Sequence, residues 1–203
     1  MILDFDTIIS KYNLKINGVL HIGAHHGQEY KLYKSHNIHN LIFFEPLKNN
    51  FDVLKTSVGY ECILHNIALG NKSGFVEMFV ETDNYGMSSS ILEPKLHVTQ
   101  YPFIRFNKRE IVEIKKLDDI TFNKDNFNMI NIDVQGYELE VFKGSVNVLK
   151  SIDYIISEVN VDELYAGCAK LNEIIEFLKT FGFELVEVDM SGGNWGDGLF
   201  IKK

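Results

Sequence analysis

Two glycines, Gly23 and Gly27, bracket Ala24-His25-His26 directly after a short apolar run. Glycine there lets the backbone turn sharply and come close to a ligand. The helical pattern that opens behind the turn would present unpaired N–H groups and a positive dipole end, suited to a carboxylate or phosphate. Glu45 stands twenty-two residues after Gly23, at the end of the next apolar run and before Pro46. A carboxylate in that place accepts two hydrogen bonds from a ribose diol. Asp133 and Glu158 end two later apolar runs. Together with His25 they are groups that could take a proton from a reacting hydroxyl. The ligand implied is a nucleoside, as part of either a nicotinamide dinucleotide or S-adenosylmethionine (SAM). A dinucleotide turn reads G-x-G-x-x-G, yet His25 and Gln28 hold the second and third glycine positions here. G-x-x-x-G suits a headgroup smaller than a pyrophosphate.

The elements that would position these residues alternate in type. Strand patterns run over 18–22, 40–44, 61–67, 74–80, 111–114, 128–132 and 152–157, the last two as buried runs. Helical patterns run over 28–35, 47–57, 136–149 and 171–181, and residues 183–188 and 198–201 read as a closing hairpin across 191–194. Continuous apolar strands interleaved with helices predict a mostly parallel α/β sheet covered on both faces, as one domain over residues 1–203. In such sheets ligands lie beyond the carboxyl ends of the strands. Residues 23–27, Glu45, 66–69, 133–136 and Glu158 all fall there. Residues 81–109 form a long stretch without clear period, and insertions of that length are usually functional. Ser88 and Ser89 within it are candidate contacts to a substrate.

Four segments extend the reading: 18–27, Phe43-Phe44-Glu45-Pro46, Ser88-Ser89-Ser90-Ile91-Leu92, and Asn131-Ile132-Asp133-Val134-Gln135-Gly136-Tyr137-Glu138 continuing to Gly144. In this order they resemble the FkbM family of SAM-dependent O-methyltransferases, over about residues 18–158. The resemblance implies a class I methyltransferase fold, a Rossmann-like doubly wound sheet, mostly parallel with an antiparallel last strand. It also implies methylation of a hydroxyl, often on a sugar or glycan. Carried over, Gly23, Ala24, His25 and Gly27 would line the methionine portion and Glu45 would hold the ribose. Asn66 and Ala68 would border adenine, and Asp133 would stand nearest the amino group or the reacting centre. The family commonly has glutamate where this chain has Gln135, a further candidate contact to the acceptor. The candidate bases are Asp133, then Glu158, then His25.

Other readings attach to the same residues. A nicotinamide-dependent oxidoreductase and a non-catalytic binding module remain alternatives. Asp133 could simply cap the following helix. Zinc on His21, His25 and His26 is disfavoured by their strand-and-turn placement, and magnesium on Asp133 and Glu158 is the more credible metal; the expectation is no metal. Trp195 reads as a hairpin packing anchor, the alternative being an edge of an acceptor pocket. The formal charge of −8 gives no general attraction for nucleic acid or anionic membranes. Cys62 and Cys168 suggest neither a disulfide framework nor a metal site. With no signal peptide pattern and no long apolar run, the expectation is a cytoplasmic protein acting on a small-molecule or glycan acceptor.

Overall fold

The computed structural model describes residues 2–203. Its main sheet has seven strands, in the order β3-β2-β1-β7-β8-β10-β9. These are β1 (Gly18–Ile22), β2 (Asn40–Phe44), β3 (Ile63–His65), β7 (Met129–Ile132), β8 (Tyr154–Asn160), β9 (Phe183–Asp189) and β10 (Trp195–Lys202). β1 lies parallel to β2 on one side and to β7 on the other, and β7 is parallel to β8. The last strand, β10, runs antiparallel to both neighbours, β8 and β9. The expected doubly wound sheet with an antiparallel last strand is therefore present. Every residue of β1 and β7 is buried, the burial that parallel strands covered on both faces require. The winding reverses between β1 and β7, which opens a crevice at their carboxyl ends.

A second sheet, β4-β6-β5, comprises β4 (Ala68–Leu69), β5 (Gly74–Val80) and β6 (Lys108–Lys115). The expected single strand over 61–67 is thus replaced by β3 and β4, which belong to different sheets. The two later patterns pair antiparallel with each other instead of joining the main sheet. Leu69, Met78, Val80, Val112 and Ile114 turn inward and share one core with Leu20, Ile22, Ile130 and Ile132. The small sheet so becomes a wall beside the crevice.

The helices are α1 (Phe5–Tyr12), α2 (Tyr30–Ser35), α3 (Lys48–Ser57), α4 (Leu96–Gln100), α5 (Glu138–Lys143) and α6 (Leu171–Lys179). α1 went unread in the sequence, although its signals are there. Asp4 accepts from the Thr7 N–H at 2.7 Å, and Phe5 and Ile8 are buried. α5 is shorter than the 136–149 pattern because the chain must pass close to β4. A Cβ on Gly144 would lie 1.9 Å from the Gly70 carbonyl oxygen. The segment between β5 and β6, residues 81–107, forms a strap across the crevice and contains α4. It is pinned by the Phe79–Ser90 and Pro94–Tyr165 bridges. No helix among the described residues is long and apolar enough to cross a membrane.

Candidate active site

The turn after β1 is built to bring two strand ends together. Gly23 has φ +79°, and a Cβ on it would sit 1.8 Å from the Asp133 carbonyl oxygen. Only glycine fits that approach. The N–H groups of Gly23 and Ala24 both donate to Phe44 O at 3.0 Å, tying the turn to the end of β2. There Glu45 is buried, and its Oε2 accepts from the His25 N–H at 2.9 Å while Oε1 accepts from the Leu47 N–H at 2.8 Å. Burial pushes its carboxyl up to about 8, against the pull of those two N–H bonds. Around it lies a narrow cleft of about 60 Å³, smaller than the usual small-ligand site. Its walls include Phe44, Leu47, Ala68, Leu69, Met78 and Ile91. An apolar slot with one buried carboxylate and a glycine at its edge fits a flat base carrying a diol.

The opposite side of the rim is acidic. Asp133 follows β7, and its Oδ1 accepts from the side-chain amide of Gln135 at 2.7 Å. The same nitrogen donates to Glu158 Oε2 at 2.6 Å, so one amide bridges two carboxyl groups. Gln135 Oε1 accepts from the Tyr165 hydroxyl at 2.7 Å. Burial first, and the neighbouring Asp133 second, hold Glu158 well above the ordinary carboxylate range. Glu138, fully buried, accepts from the Val134 and Gly136 N–H groups through Oε1, while Oε2 has no partner. Burial raises it to about 7. Asp133, Glu138 and Glu158 bring ligand atoms within 4.8 Å of one another. A divalent ion shared by Asp133 and Glu158 would compete with the Gln135 amide already bridging them.

A second cavity, of about 460 Å³, opens from this acidic side. It shares Asp133, Gln135 and Met87 with the first. Its far wall is aromatic, with Tyr101, Phe103 and Trp195, and Trp195 donates from Nε1 to the Tyr101 hydroxyl at 2.9 Å. Trp195 is thus a cavity wall, the reading that took second place in the sequence.

The comparisons with known proteins bear on what such paired cavities belong to. The Methyltransferase FkbM domain matches residues 21–185. The chain belongs to this family. A curated member-like relative, the 2-O-methyltransferase NoeI of Sinorhizobium fredii (strain NBRC 101917 / NGR234), is 29% identical over 125 residues, 58% of this chain and 51% of its own length. The match thus spans about half of that relative. Among solved structures, magnesium protoporphyrin IX methyltransferase from Synechocystis PCC 6803 superposes with a TM-score of 0.56 at 8% identity, covering 98% of this chain and 76% of that one. A putative tRNA (m1A22) methyltransferase of Streptococcus pneumoniae gives 0.56 at 10% identity, covering 100% and 73%. These likenesses show the FkbM chain to have a class I methyltransferase fold.

Several expected site residues stand elsewhere than the resemblance implied. Gly27 has φ +76°, but a Cβ on it would meet Leu54 and Val58 at 2.7 and 2.9 Å. It lets the turn pack on α3 and lines neither cavity. Asn66 donates to the carbonyl oxygens of Glu45 and Pro46, both at 2.9 Å, and so positions Glu45 while Ala68 lines the cleft. His25 lines the cleft, but Nε2 faces the Tyr85 carbonyl oxygen at 2.9 Å and must carry the proton. In the neutral ring Nδ1 is then the acceptor, and it is engaged by Gln28 at 2.8 Å. With both nitrogens committed, His25 has no lone pair for a base's work. The rings of His25 and His26 stack at 3.7 Å, but His21 contacts the Tyr33 hydroxyl at 3.2 Å and His26 faces Asn50, so the three do not share one point. Ser88 lines the second cavity and Ser89 the first, where its Oγ accepts from the Glu81 N–H at 3.1 Å. Sequence reasoning missed Asp197, which lines the second cavity beside Glu158. Its signal was a carboxylate inside an otherwise apolar strand, at Gly196-Asp197-Gly198.

Proposed function

We propose that this FkbM-family chain transfers a methyl group from SAM to a hydroxyl of a small hydroxylated acceptor, in the sugar or glycan class. The observation that carries the reading is the meeting of the two cavities at Asp133 and Gln135. The first is a narrow apolar slot beside Glu45, and the second, at about 460 Å³, has room for a second molecule. SAM, when bound, supplies an electrophilic methyl group on a sulfonium. Glu45 is placed to accept from a ribose diol, and the walls from Phe44 to Ile91 exclude water from an adenine. The N–H groups of the turn are already given to Phe44 O and Glu45, so the turn acts by shape and close approach more than by donation.

The protein's task at the acceptor is to hold one hydroxyl in line and remove its proton as the new C–O bond forms. Asp133 stands at the junction, with Gln135 fixing its orientation. Glu158 sits deeper, where burial favours its protonated form, which leaves Asp133 as the base. The 2-O-methyltransferase relative supports oxygen as the methylated atom. Isothermal titration with SAM and S-adenosylhomocysteine tests the first half of the reading. Binding is expected, and Glu45→Ala should weaken it by about tenfold or more, the scale of a lost charge-assisted hydrogen bond pair. Absence of binding of either compound to the wild-type chain would sink it. Incubation with methyl-labelled SAM and hydroxylated acceptors tests the second half, with label expected on oxygen.

A further inference from the structure

The side chains that line the second cavity include three acids and, among the described residues, no lysine or arginine. Asp197 on β10 lies directly opposite Glu158 on β8 in the antiparallel register. Ile132 on β7 pairs with Ser157, so Asp133 follows beside Glu158. Three carboxyl groups therefore form a row across three neighbouring strands, all facing the cavity. Glu158 and Asp197 are only 2% and 5% exposed, and ionising both directly opposite each other would destabilise the sheet. What the protein offers in compensation is small. The Gln135 amide bridges two of the groups, and Asp197 Oδ2 accepts from the N–H groups of Ile2 and Leu3. A second feature faces the same space: His97, 5% exposed, lines it with Nδ1 lacking any partner.

We propose that the acceptor is a hydroxylated amine, an amino sugar or aminocyclitol, whose ammonium group sits at Glu158 and Asp197 while its hydroxyl meets Asp133. This rests on the methyl-transfer reading above and narrows it. An ammonium brings three donors and a positive charge to a row of acceptors that no lysine or arginine side chain faces. Tyr101, Phe103 and Trp195, on the far wall, offer apolar surface to a sugar ring. A bare metal ion would satisfy the carboxyl groups but has no use for an aromatic wall or for a cavity of this size. A phosphorylated or nucleotide-linked acceptor would bring more negative charge to the row with no side-chain cation to meet it.

The test follows transfer from methyl-labelled SAM to matched acceptors of different charge. D-glucosamine and an unacetylated aminocyclitol carry the amine, and D-glucose and N-acetyl-D-glucosamine are neutral. D-glucose 6-phosphate and uridine diphosphate N-acetylglucosamine are anionic and carry no free amine. Label should enter the free amines with kcat/KM about tenfold or more above the neutral sugars, and should not enter the nucleotide-linked one. A neutral or phosphorylated sugar used as well as the amines overturns this inference and leaves the methyl-transfer reading standing. No transfer to any sugar, with S-adenosylhomocysteine still bound, overturns both. Product spectra with the methyl on nitrogen would overturn oxygen transfer and keep the cationic acceptor. Asp197→Asn should raise KM for the amines about tenfold, with KM for SAM and for neutral sugars unmoved; a parallel loss for neutral sugars would mark Asp197 as structural and count against the proposal.

Discussion

Asp133 and Glu158 share one amide donor, yet they should differ in what their removal costs. Asp133 lies where the cavities meet, so Asp133→Asn should lower kcat by about 10²- to 10⁴-fold, the usual contribution of a general base, with little change in SAM affinity. Burial and the neighbouring Asp133 push the Glu158 carboxyl upward, so Glu158→Gln should spare most of kcat and act on the acceptor's KM. Steady-state kinetics on both variants checks this, and equal kcat losses would contradict the division of labour. Glu138 calls for a different variant. Its Oε1 caps two backbone N–H groups, and its Oε2 is buried without a partner. Glutamine would keep the cap and drop the ionisable oxygen, so Glu138→Gln should melt at least as high as wild type at pH 8. A lower melting temperature would show that the carboxylate has a role the cap does not explain. Glu45 and Asp133 were legible in the sequence because each follows an apolar run, and strand ends in such folds collect ligands; Glu158 was found by the same rule although β8 runs on through it to Asn160. Asp197 was not, because it lies inside its strand and the strand-end rule passes it by. Gly27 and Asn66 have the right types in the right motif. What misled was direction, since a sequence does not say that Gly27 faces α3 or that Asn66 turns back to Glu45.

The cleft depends on how a few segments are fastened together. The strap over 81–107 reaches both cavities, and Ser90 anchors it by donating to the Gln135 carbonyl oxygen at 2.7 Å, while its backbone exchanges hydrogen bonds with Phe79. Ser90 is fully buried, so Ser90→Ala leaves an unpaired buried carbonyl as well as a looser strap, a cost of about 1–3 kcal/mol. The expected outcome is a several-fold rise in KM for both substrates with a smaller loss in kcat. Unchanged KM values would show that the strap does not close the site. Gly23→Ala is harsher, because the methyl would overlap Asp133 O and the φ of +79° is strained for alanine. The first strand, the turn and the β7 end were readable from apolar runs and punctuation. The separation into two sheets was not, because β4 is two residues long and its pairing with β6 is a long-range choice. The end of α5 was hidden for a similar reason: Gly144 stops the helix by approaching Gly70, a contact made only in the fold.

Across the whole molecule, buried acids and buried histidines pull stability in opposite directions with pH. Burial lowers the proton affinity of His21, His65 and His97. The unfolded chain therefore holds more protons on them below their ordinary value of 6.5, and stability from this source rises with pH and is complete above that value. Glu45 and Glu138 behave oppositely, raised from 4.5 to about 8 and about 7. From pH 4.5 upward the folded chain holds protons on these groups that the unfolded chain has lost. Their contribution thus falls as pH rises, until each is ionised in both states. Above pH 6.5 the histidines no longer offset the acids, and the acids act alone up to about pH 8. The ligand-free protein should accordingly lose melting temperature between pH 6.5 and 8, at up to about 1.4 kcal/mol per pH unit for each group still titrating. Glu45→Gln should flatten that slope, even though a glutamine there leaves one of the His25 and Leu47 N–H groups unpaired and lowers the curve as a whole. Saturating S-adenosylhomocysteine should raise the melting temperature more at pH 8 than at pH 6.5, because a ribose diol donates to the ionised carboxylate. At about 100 times Kd a ligand stabilises by about 2.7 kcal/mol, enough to be read in a thermal melt. A melting temperature that stays level or climbs from pH 6.5 to 8 would show that Glu45 is ionised in the empty cleft, and the ligand's effect would then not depend on pH.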